Sequence, residues 1–269
     1  MVRRGYESLA GFFHRTWISR IVRRLHIARG MLILDVWCGT AFHLLEFAEF
    51  GTNDIGCDFS KGMLQQATKA VGRRRAQIEL VLSDSRSLPF RGEAFDIVFS
   101  SAVLHHIPNK RFQHIATSEM VRVLRKGGGI LVSVANASNL VYWLVRRLSR
   151  SLYRGRVGER RESNRGSWFC SKKYGLVYIG KMIPTELAKW LEDAGVRIRC
   201  VKYVGPNLPP IGARARTRFH KVLDLYYNTV FDVMDVFPSI SLLRLCSTDF
   251  YIIGLKPIPV QDEQTLALH

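Results

Sequence analysis

The sequence predicts an α/β protein with a doubly wound, mostly parallel seven-stranded sheet and a basic helical insertion. From residue 31 onward, apolar strand-like runs alternate with stretches of helical spacing. This alternation is typical of a parallel sheet covered by helices on both faces. The alternation stops between residues 139 and 181, where the chain becomes strongly basic.

The first elements follow directly from local patterns. The run MLILDVW (31–37) is continuously apolar and precedes Gly39, as expected of a buried parallel strand. AFHLLEFAEFG has helical spacing and ends at Gly51. A short strand over 55–58 leads to Ser60, the expected N-cap of a helix, KGMLQQATKAVG, that runs to Gly72.

The later elements repeat the same alternation. Strands are predicted for IELVL (78–82), FDIVFS (95–100) and ILVSV (130–134), and the last two flank a helix, NKRFQHIATSEMVRVLRKGGG, that ends at its glycines. A helix over 185–194 and the strands VRIRCVKYV and DFYIIGLK follow. Together these make seven strands.

The insertion has two predicted parts. In NLVYWLVRRLSRSLYRGR, leucines recur every four residues and Arg147, Arg150 and Arg154 fall on another face, which predicts a basic amphipathic helix. Such a helix either docks on a membrane or a partner, or packs on the core with a solvated basic face. GERRESNRG (158–166) is predicted to be a mobile polar loop.

The net charge of +18 is concentrated in two segments. Residues 1–30 carry seven basic side chains and one acidic side chain, and residues 139–181 carry eleven basic and two acidic side chains. In contrast, residues 31–138 carry twelve basic and ten acidic side chains. This distribution argues against a protein that coats nucleic acid over its whole surface. It favours a globular enzyme with a charged docking surface.

Cysteine usage and hydropathy indicate an intracellular, cytoplasmic protein. The five cysteines form no CxxC pair and no metal-ligand spacing, so we expect reduced thiols and no metal site. No apolar run approaches the length of a membrane-spanning helix. The Arg-rich N-terminus is interpreted as an ordinary basic helix in preference to an organelle transit peptide.

Polar side chains follow four strands of the predicted sheet. Asp35 ends the first strand, and Asp58 ends the second, where a carboxylate can accept both hydroxyls of a ribose. Asp84 follows the third strand and is placed to accept from an adenine amine. Ser100 and His105 follow the fourth, beside the expected reacting centre.

These segments resemble the class I S-adenosylmethionine-dependent methyltransferases, in particular the methyltransferase type 11 group. The resemblance is carried over residues 31–136 by LDVWCGTA, GCDFSKGMLQQA, SDSRSLPF, FDIVFSSAVLHHI and EMVRVLRKGGGILVSVAN. The stretch LPFRGEAFDIVFSSAVLHHI is also similar to wobble-uridine tRNA methyltransferases, but it is shared too widely to decide the acceptor.

The resemblance implies a cofactor site. It places the methionine moiety of S-adenosylmethionine near Asp35, Gly39 and Thr40 and the ribose on Asp58. It places the adenine ring against Phe59 and Met63, the adenine amine on Asp84, and backbone around Ser85 and Ser100 at the pocket. Tyr6 is similar to an N-terminal aromatic residue that covers the cofactor in relatives.

The loop after the first strand departs from the family pattern. The family has Asp-x-Gly-x-Gly-x-Gly, whereas Trp37 and Ala41 replace the first and third glycines here. Glycine permits close backbone approach and a positive φ. Ala41 is a mild change, but Trp37 must either repack into the sheet or protrude into the cofactor site.

The predicted organisation follows from these segments. Residues 1–30 form an N-terminal helical lid, 31–138 the S-adenosylmethionine-binding core, 139–181 the basic amphipathic insertion, 182–257 the C-terminal part of the methyltransferase fold, and 258–269 a tail. Asp96 is expected to be structural.

The predicted function is methyl transfer by in-line displacement to a small, hydrophobic or lipid-linked acceptor, with contact to an anionic membrane surface. A general base would assist a hydroxyl acceptor, and His105 is the candidate for it. The alternative is a structural role, in which one histidine of the pair His105–His106 caps the end of the strand. The alternatives are a tRNA or rRNA methyltransferase and a catalytically silent subunit of an RNA–protein complex. The oligomeric state is not predicted.

Overall fold

The computed structural model describes residues 18–136, 162–163, 166–171, 175–180, 182–204 and 249–259. Tyr6 and the amphipathic pattern over 139–154 lie outside these residues. Strands are β1 (Leu32–Val36), β2 (Asn53–Asp58), β3 (Ile78–Leu82), β4 (Phe95–Ser101), β5 (Leu124–Ala135), β6 (Glu162–Ser163), β7 (Gly166–Ser171), β8 (Gly175–Gly180), β9 (Arg197–Val204) and β10 (Asp249–Leu255). Helices are α1 (18–24 as described), α2 (Phe42–Phe47), α3 (Lys61–Arg74), α4 (Lys110–Val123) and α5 (Pro184–Asp193), with 3-10 turns at Ala48–Phe50 and Leu104–His106.

The predicted sheet is confirmed. Its seven strands have the order β3-β2-β1-β4-β5-β10-β9. The first five are parallel to one another, and β10 pairs antiparallel with both β5 and β9. The strand order reverses beside β1, between β1 and β4, so the carboxyl ends of β1, β2 and β4 flank the crevice where doubly wound sheets bind their ligands.

Helices cover both faces of the sheet. Ile21 of α1, Leu44 and Phe47 of α2 and Ala67 of α3 share a buried cluster with Phe99. On the other face, apolar side chains of α4 (Met120, Val121) and α5 (Leu187, Leu191) are buried together. They pack with strand residues that point to this face, Val98 of β4 and Val132 of β5. The sheet is therefore buried on both sides at its centre, which explains the continuous apolar runs of β1 and β4.

Two helix ends differ from the prediction. Helix α3 begins at the predicted N-cap, where the Ser60 hydroxyl accepts from the Met63 amide at 3.3 Å, but it continues past Gly72 to Arg74. Helix α4 ends at Val123, and β5 begins at once with Leu124. The glycines after α4 serve the strand: a Cβ on Gly128 would lie 2.8 Å from the Asp96 carbonyl oxygen. Close packing of backbone, and not a helix stop, requires glycine there.

The insertion contains strands that the sequence analysis did not predict. β6, β7 and β8 form a separate antiparallel sheet in that order. Glu162, Ser163 and Gly166 thus belong to paired strands, and the prediction of a mobile polar loop across them was wrong. An isolated parallel bridge between Asn136 and Met182 joins the chain before this region to the chain after it.

Candidate functional site

The loop after β1 has the backbone of a glycine-rich loop. Trp37, Gly39 and Ala41 have φ values of 63°, 56° and 61°. These are the positions at which the family pattern has glycine, so the left-handed conformation persists although two of the three residues carry a side chain. A left-handed residue with a Cβ costs about 1–2 kcal/mol, so this loop is strained.

The Trp37 side chain is folded into the core. Only 7% of the residue is exposed, and it belongs to the same buried cluster as Val36, Cys57 and Leu88. Of the two arrangements expected for the indole, this packing corresponds to the one in which the side chain joins the sheet core.

Asp58 is held in place by the loops on either side of it. Its Oδ2 accepts from the Gly39 amide at 3.0 Å, and its Oδ1 accepts from the Ser60 amide at 2.8 Å. Asp58 as a residue is 5% exposed. Each oxygen has a second lone pair, so the group is oriented and still able to accept from a diol.

Asp35 and Ser100 carry buried polar atoms that lack a partner within the described part of the chain. The orphaned atoms are Asp35 Oδ2 and Ser100 Oγ, on residues that are 1% and 0% exposed. Burial, and then the charges of Asp58 and Asp54, raise the pKa of Asp35 well above its ordinary value. An unpaired buried carboxyl is costly, so a donor or a cation brought to this edge of the sheet would be stabilised.

An aromatic ring and a thioether flank the same edge. Phe59, directly after Asp58, is 70% exposed. Met63 is half-buried, and its Cε lies 3.6 Å from where a Cβ of Gly39 would be. Thr40 is also half-buried. An exposed ring beside a fixed carboxylate can stack on a base while the carboxylate holds the attached ribose.

Asp84 lies on the surface and is paired with Arg86. The Arg86 Nε donates to Asp84 at 2.8 Å, and the guanidinium carbon lies 4.6 Å from the centre of the Phe112 ring. The hydrogen bonds of Arg86 lower the pKa of Asp84, so this carboxylate is ionised. Ser85, between them in sequence, is buried.

Side chains of helix α4 hold the loop that carries Asp84 and Ser85 by hydrogen bonds to its backbone. Glu119 accepts from the Leu88 amide at 2.8 Å, and Arg122 donates to the Leu88 carbonyl at 3.0 Å and to the Phe90 carbonyl at 2.9 Å. The two side chains also pair with each other at 2.6 Å. Glu119, Arg122 and Arg86 were not predicted from the sequence as residues of the site. The Glu–Arg spacing of three on a helix was the available signal.

Asp96 connects β4 to the two strands beside it, β1 and β5. Its Oδ2 accepts from the Leu32 amide at 2.7 Å, and its Oδ1 pairs with Arg125 at 2.7 Å.

The two histidines after β4 have different hydrogen bonds. The His105 Nδ1 accepts from the Ala135 amide at 3.2 Å, whereas the His106 Nδ1 lies 2.6 Å from the Tyr178 carbonyl oxygen. A backbone amide can only donate a hydrogen bond and a backbone carbonyl can only accept one. Nδ1 is therefore unprotonated in His105 and protonated in His106. His105 is 5% exposed, and burial, with a smaller effect of His106, lowers its pKa to about 3.

These bonds disfavour His105 as the general base. Its one unprotonated nitrogen already accepts a hydrogen bond from the Ala135 amide. In addition, a ring with so low a pKa holds a proton weakly. The geometry gives His105 a structural role that joins the turn after β4 to the end of β5.

The described ranges contain neither a cluster of metal-binding side chains nor a membrane-spanning helix. No cluster of three or more His, Cys, Asp or Glu side chains there could hold a metal ion. None of the helices there is long and apolar enough to cross a bilayer.

Comparison with known proteins agrees with the fold and its motifs. Residues 33–128 match the family model described as a methyltransferase domain. The chain is 31% identical over 186 residues to a demethylmenaquinone methyltransferase of Paenarthrobacter aurescens, which covers 67% of this chain and 68% of that protein. It is 33% identical over 141 residues to a tRNA (carboxymethyluridine(34)-5-O)-methyltransferase of Xenopus tropicalis, covering 49% of this chain but only 20% of that protein.

A solved structure shares the architecture at low sequence identity. It is the crystal structure of an S-adenosylmethionine-dependent methyltransferase from Methanosarcina mazei. It superposes with a TM-score of 0.61 at 17% identity, covering 89% of this chain and 98% of that one. At this identity the likeness supports the fold.

Proposed function

The chain belongs to the class I S-adenosylmethionine-dependent methyltransferases, and we propose that it transfers a methyl group by in-line displacement to a small, hydrophobic or lipid-linked acceptor. The observation that carries the proposal is the fixed Asp58 carboxylate beside the orphaned Asp35 Oδ2 and the exposed Phe59 ring. These residues suit the ribose, the cationic methionine end and the adenine of the cofactor. The indole of Trp37 is buried in the core and does not contradict that fit.

The proposed chemistry needs little from the protein beyond placement. When bound, S-adenosylmethionine supplies an electrophilic methyl group. Asp58 holds the ribose, and Asp35 with Ser100 binds polar atoms of the methionine end. Phe59 and Met63 contact the adenine ring. Rate enhancement then comes from proximity, orientation and exclusion of water.

Two observations support a lipid-linked acceptor. The excess of positive charge lies in residues 1–30 and 139–181, on either side of a nearly neutral core. Basic segments of this kind bind anionic headgroups at about 1 kcal/mol per Lys or Arg. In addition, the Paenarthrobacter relative is named for demethylmenaquinone. We therefore place the protein in the cytoplasm, at the inner surface of an anionic membrane.

Transfer of labelled methyl groups tests this acceptor class. The protein and labelled S-adenosylmethionine are incubated with a prenylated naphthoquinol in phosphatidylglycerol vesicles, and in parallel with total tRNA. We expect label in the vesicle fraction, with less label when the vesicles are made of neutral phosphatidylcholine. Label in tRNA with none in vesicles would contradict the proposal.

RNA methylation is the second candidate because the Xenopus relative is named for a tRNA uridine. The same arginines would then contact phosphates, and affinity for tRNA would fall steeply with salt. A steep salt slope on tRNA together with no affinity for anionic liposomes would favour this candidate over the lipid-linked one.

The third candidate is a catalytically silent fold, and Trp37 is the residue that supports it. We expect calorimetry to show S-adenosylmethionine binding by the unaltered chain and by Trp37→Gly with similar affinity, because the indole is packed in the core. The variant should be less stable by about 2 kcal/mol, since loss of a buried Trp costs about 3–5 kcal/mol and relief of the left-handed backbone returns about 1–2 kcal/mol. Binding by Trp37→Gly alone would establish the silent candidate.

A further inference from the structure

We propose that His106, and not His105, presents the proton-accepting nitrogen on the acceptor side of the site, and that the insertion orients it through the Tyr178 carbonyl. This inference rests on the proposed methyl transfer. It starts from the hydrogen bonds of the two adjacent rings, whose centres lie 4.2 Å apart.

The bond to Tyr178 fixes which nitrogen of His106 is bare. Its Nδ1 donates to the Tyr178 carbonyl at 2.6 Å, so the neutral ring carries its lone pair on Nε2. Within the described residues, His106 Nε2 makes no hydrogen bond, and the residue is half-buried. A ring oriented by a backbone acceptor at one nitrogen with the other nitrogen bare is the arrangement that a general base requires.

The neighbouring ring cannot take over this role. The His105 Nδ1 is occupied by the Ala135 amide, and its Nε2 carries the hydrogen. His105 is also more deeply buried than His106. Its amide partner fixes His105 in the turn Leu104–His106, and so fixes the position from which His106 projects.

The partner carbonyl belongs to β8 in the insertion. β8 packs closely on the turn Leu104–His106: a Cβ on Gly180 would lie 3.0 Å from the His105 carbonyl oxygen and 3.1 Å from Cε1 of Tyr178. The insertion therefore contacts the turn after β4 so closely that a Cβ at Gly180 would push the neighbouring atoms away by a few tenths of an ångström. A change in how the insertion docks would change the orientation of His106.

The proton transfer balances for a hydroxyl acceptor. The acceptor O–H bond breaks and its proton forms an N–H bond at His106 Nε2, which leaves the ring cationic. With an oxygen acceptor, the oxygen lone pair forms the bond to the methyl carbon. With the naphthoquinol probe, the charge left on that oxygen is delocalised into the ring, a ring carbon forms the bond to the methyl carbon, and the ring C–H proton then returns to the oxygen. In both cases the electron pair of the broken S–C bond stays on sulfur. The bond from Nδ1 to Tyr178 survives protonation because Nδ1 remains a donor.

Nitrogen NMR of the histidine rings tests the tautomers without any turnover. We expect His106 as the Nδ1–H form and His105 as the Nε2–H form. Gly180→Ala should shift the His106 populations, whereas Gly72→Ala, on an exposed helix position with nothing within 4 Å, should not. A His106 ring in the Nε2–H form would overturn the proposal.

Substitution of His106 separates its role as a base from its hydrogen bond to the Tyr178 carbonyl. In His106→Asn the side-chain amide nitrogen can still donate to the Tyr178 carbonyl, but no basic nitrogen remains to take up the proton. With the naphthoquinol vesicles as probe, we expect kcat to fall at least about 100-fold, with calorimetric affinity for S-adenosylmethionine unchanged. An unchanged kcat would overturn the proposal. Binding of S-adenosylmethionine without transfer to vesicles or tRNA by the unaltered chain would instead contradict the proposed function, and the tautomers would still decide which nitrogen is bare.

Discussion

Two buried titratable side chains give the protein opposite responses to acid. His105 has a folded pKa of about 3 against an ordinary 6.5, because burial disfavours its charged form. The unfolded chain therefore takes up this proton first as pH falls. The stability associated with neutral His105 is present above about pH 6.5 and is lost below it.

Comparison of the unaltered chain with His105→Asn measures this loss. Asparagine keeps an acceptor for the Ala135 amide but does not titrate. We expect the difference in unfolding free energy between the two proteins to shrink by about 2 kcal/mol from about pH 7.5 to about pH 5. Denaturant unfolding at the two pH values measures it, and a constant difference would contradict a buried neutral ring.

Asp54→Asn should show the opposite sign. Burial raises the pKa of Asp54 to about 7, although Thr52 donates to its carboxylate. The folded state therefore binds this proton before the unfolded state does, and the unaltered chain gains stability relative to the variant as pH falls. We expect a relative gain of about 2 kcal/mol over the same interval. A loss there would show that Asp54 is not buried as a carboxylic acid.

At the level of elements, Gly72 provides a local test of α3. This helix runs through Gly72, which is exposed, has an ordinary helical φ and has open space at its Cβ position. Gly72→Ala should raise the unfolding free energy by about 0.5–1 kcal/mol, since alanine loses less backbone freedom in a helix. A decrease on denaturant unfolding would indicate that the helix ends at Gly72, as its sequence suggests.

Local sequence could predict the seven strands of the main sheet but not every boundary. Ser60 caps α3 as its type and position predict. In contrast, VLRKGGG has the basic residues and glycines of a helix end, yet the strand begins at Leu124. The glycines are needed for close contact between β5 and β4. This requirement follows from the pairing of the two strands and cannot be deduced from the local sequence.

The same limit applies to the candidate site. The sequence could predict that Asp35, Asp58 and Ser100 lie at the carboxyl ends of neighbouring strands, because parallel strands align those ends. It could not predict that Arg86 pairs with Asp84, or which nitrogen of each histidine is bare. The pair Asp84–Arg86 depends on the local turn closed by the Ser87 amide and the Asp84 carbonyl. The protonation of the two histidines depends on backbone groups distant in sequence, the Ala135 amide and the Tyr178 carbonyl.

At the scale of the whole molecule, charge and cofactor chemistry occupy different parts of the chain. The candidate site is built from the nearly neutral residues 31–138, and the insertion contacts it through β8. The central claim is that the carboxyl edge of β1 and β2 binds S-adenosylmethionine through Asp58. The control is a second buried carboxylate on β2, Asp54, near the strand's other end.

Calorimetric titration of S-adenosylmethionine into the unaltered chain, Asp58→Asn and Asp54→Asn tests this claim most directly. Hydrogen bonds to a charged group contribute about 1.5–3 kcal/mol, so we predict that the unaltered chain binds one equivalent and that Asp58→Asn weakens binding by about 10-fold to 100-fold. Asp54→Asn should bind as the unaltered chain does. No binding by the unaltered chain, or equal binding by all three proteins, would contradict the account.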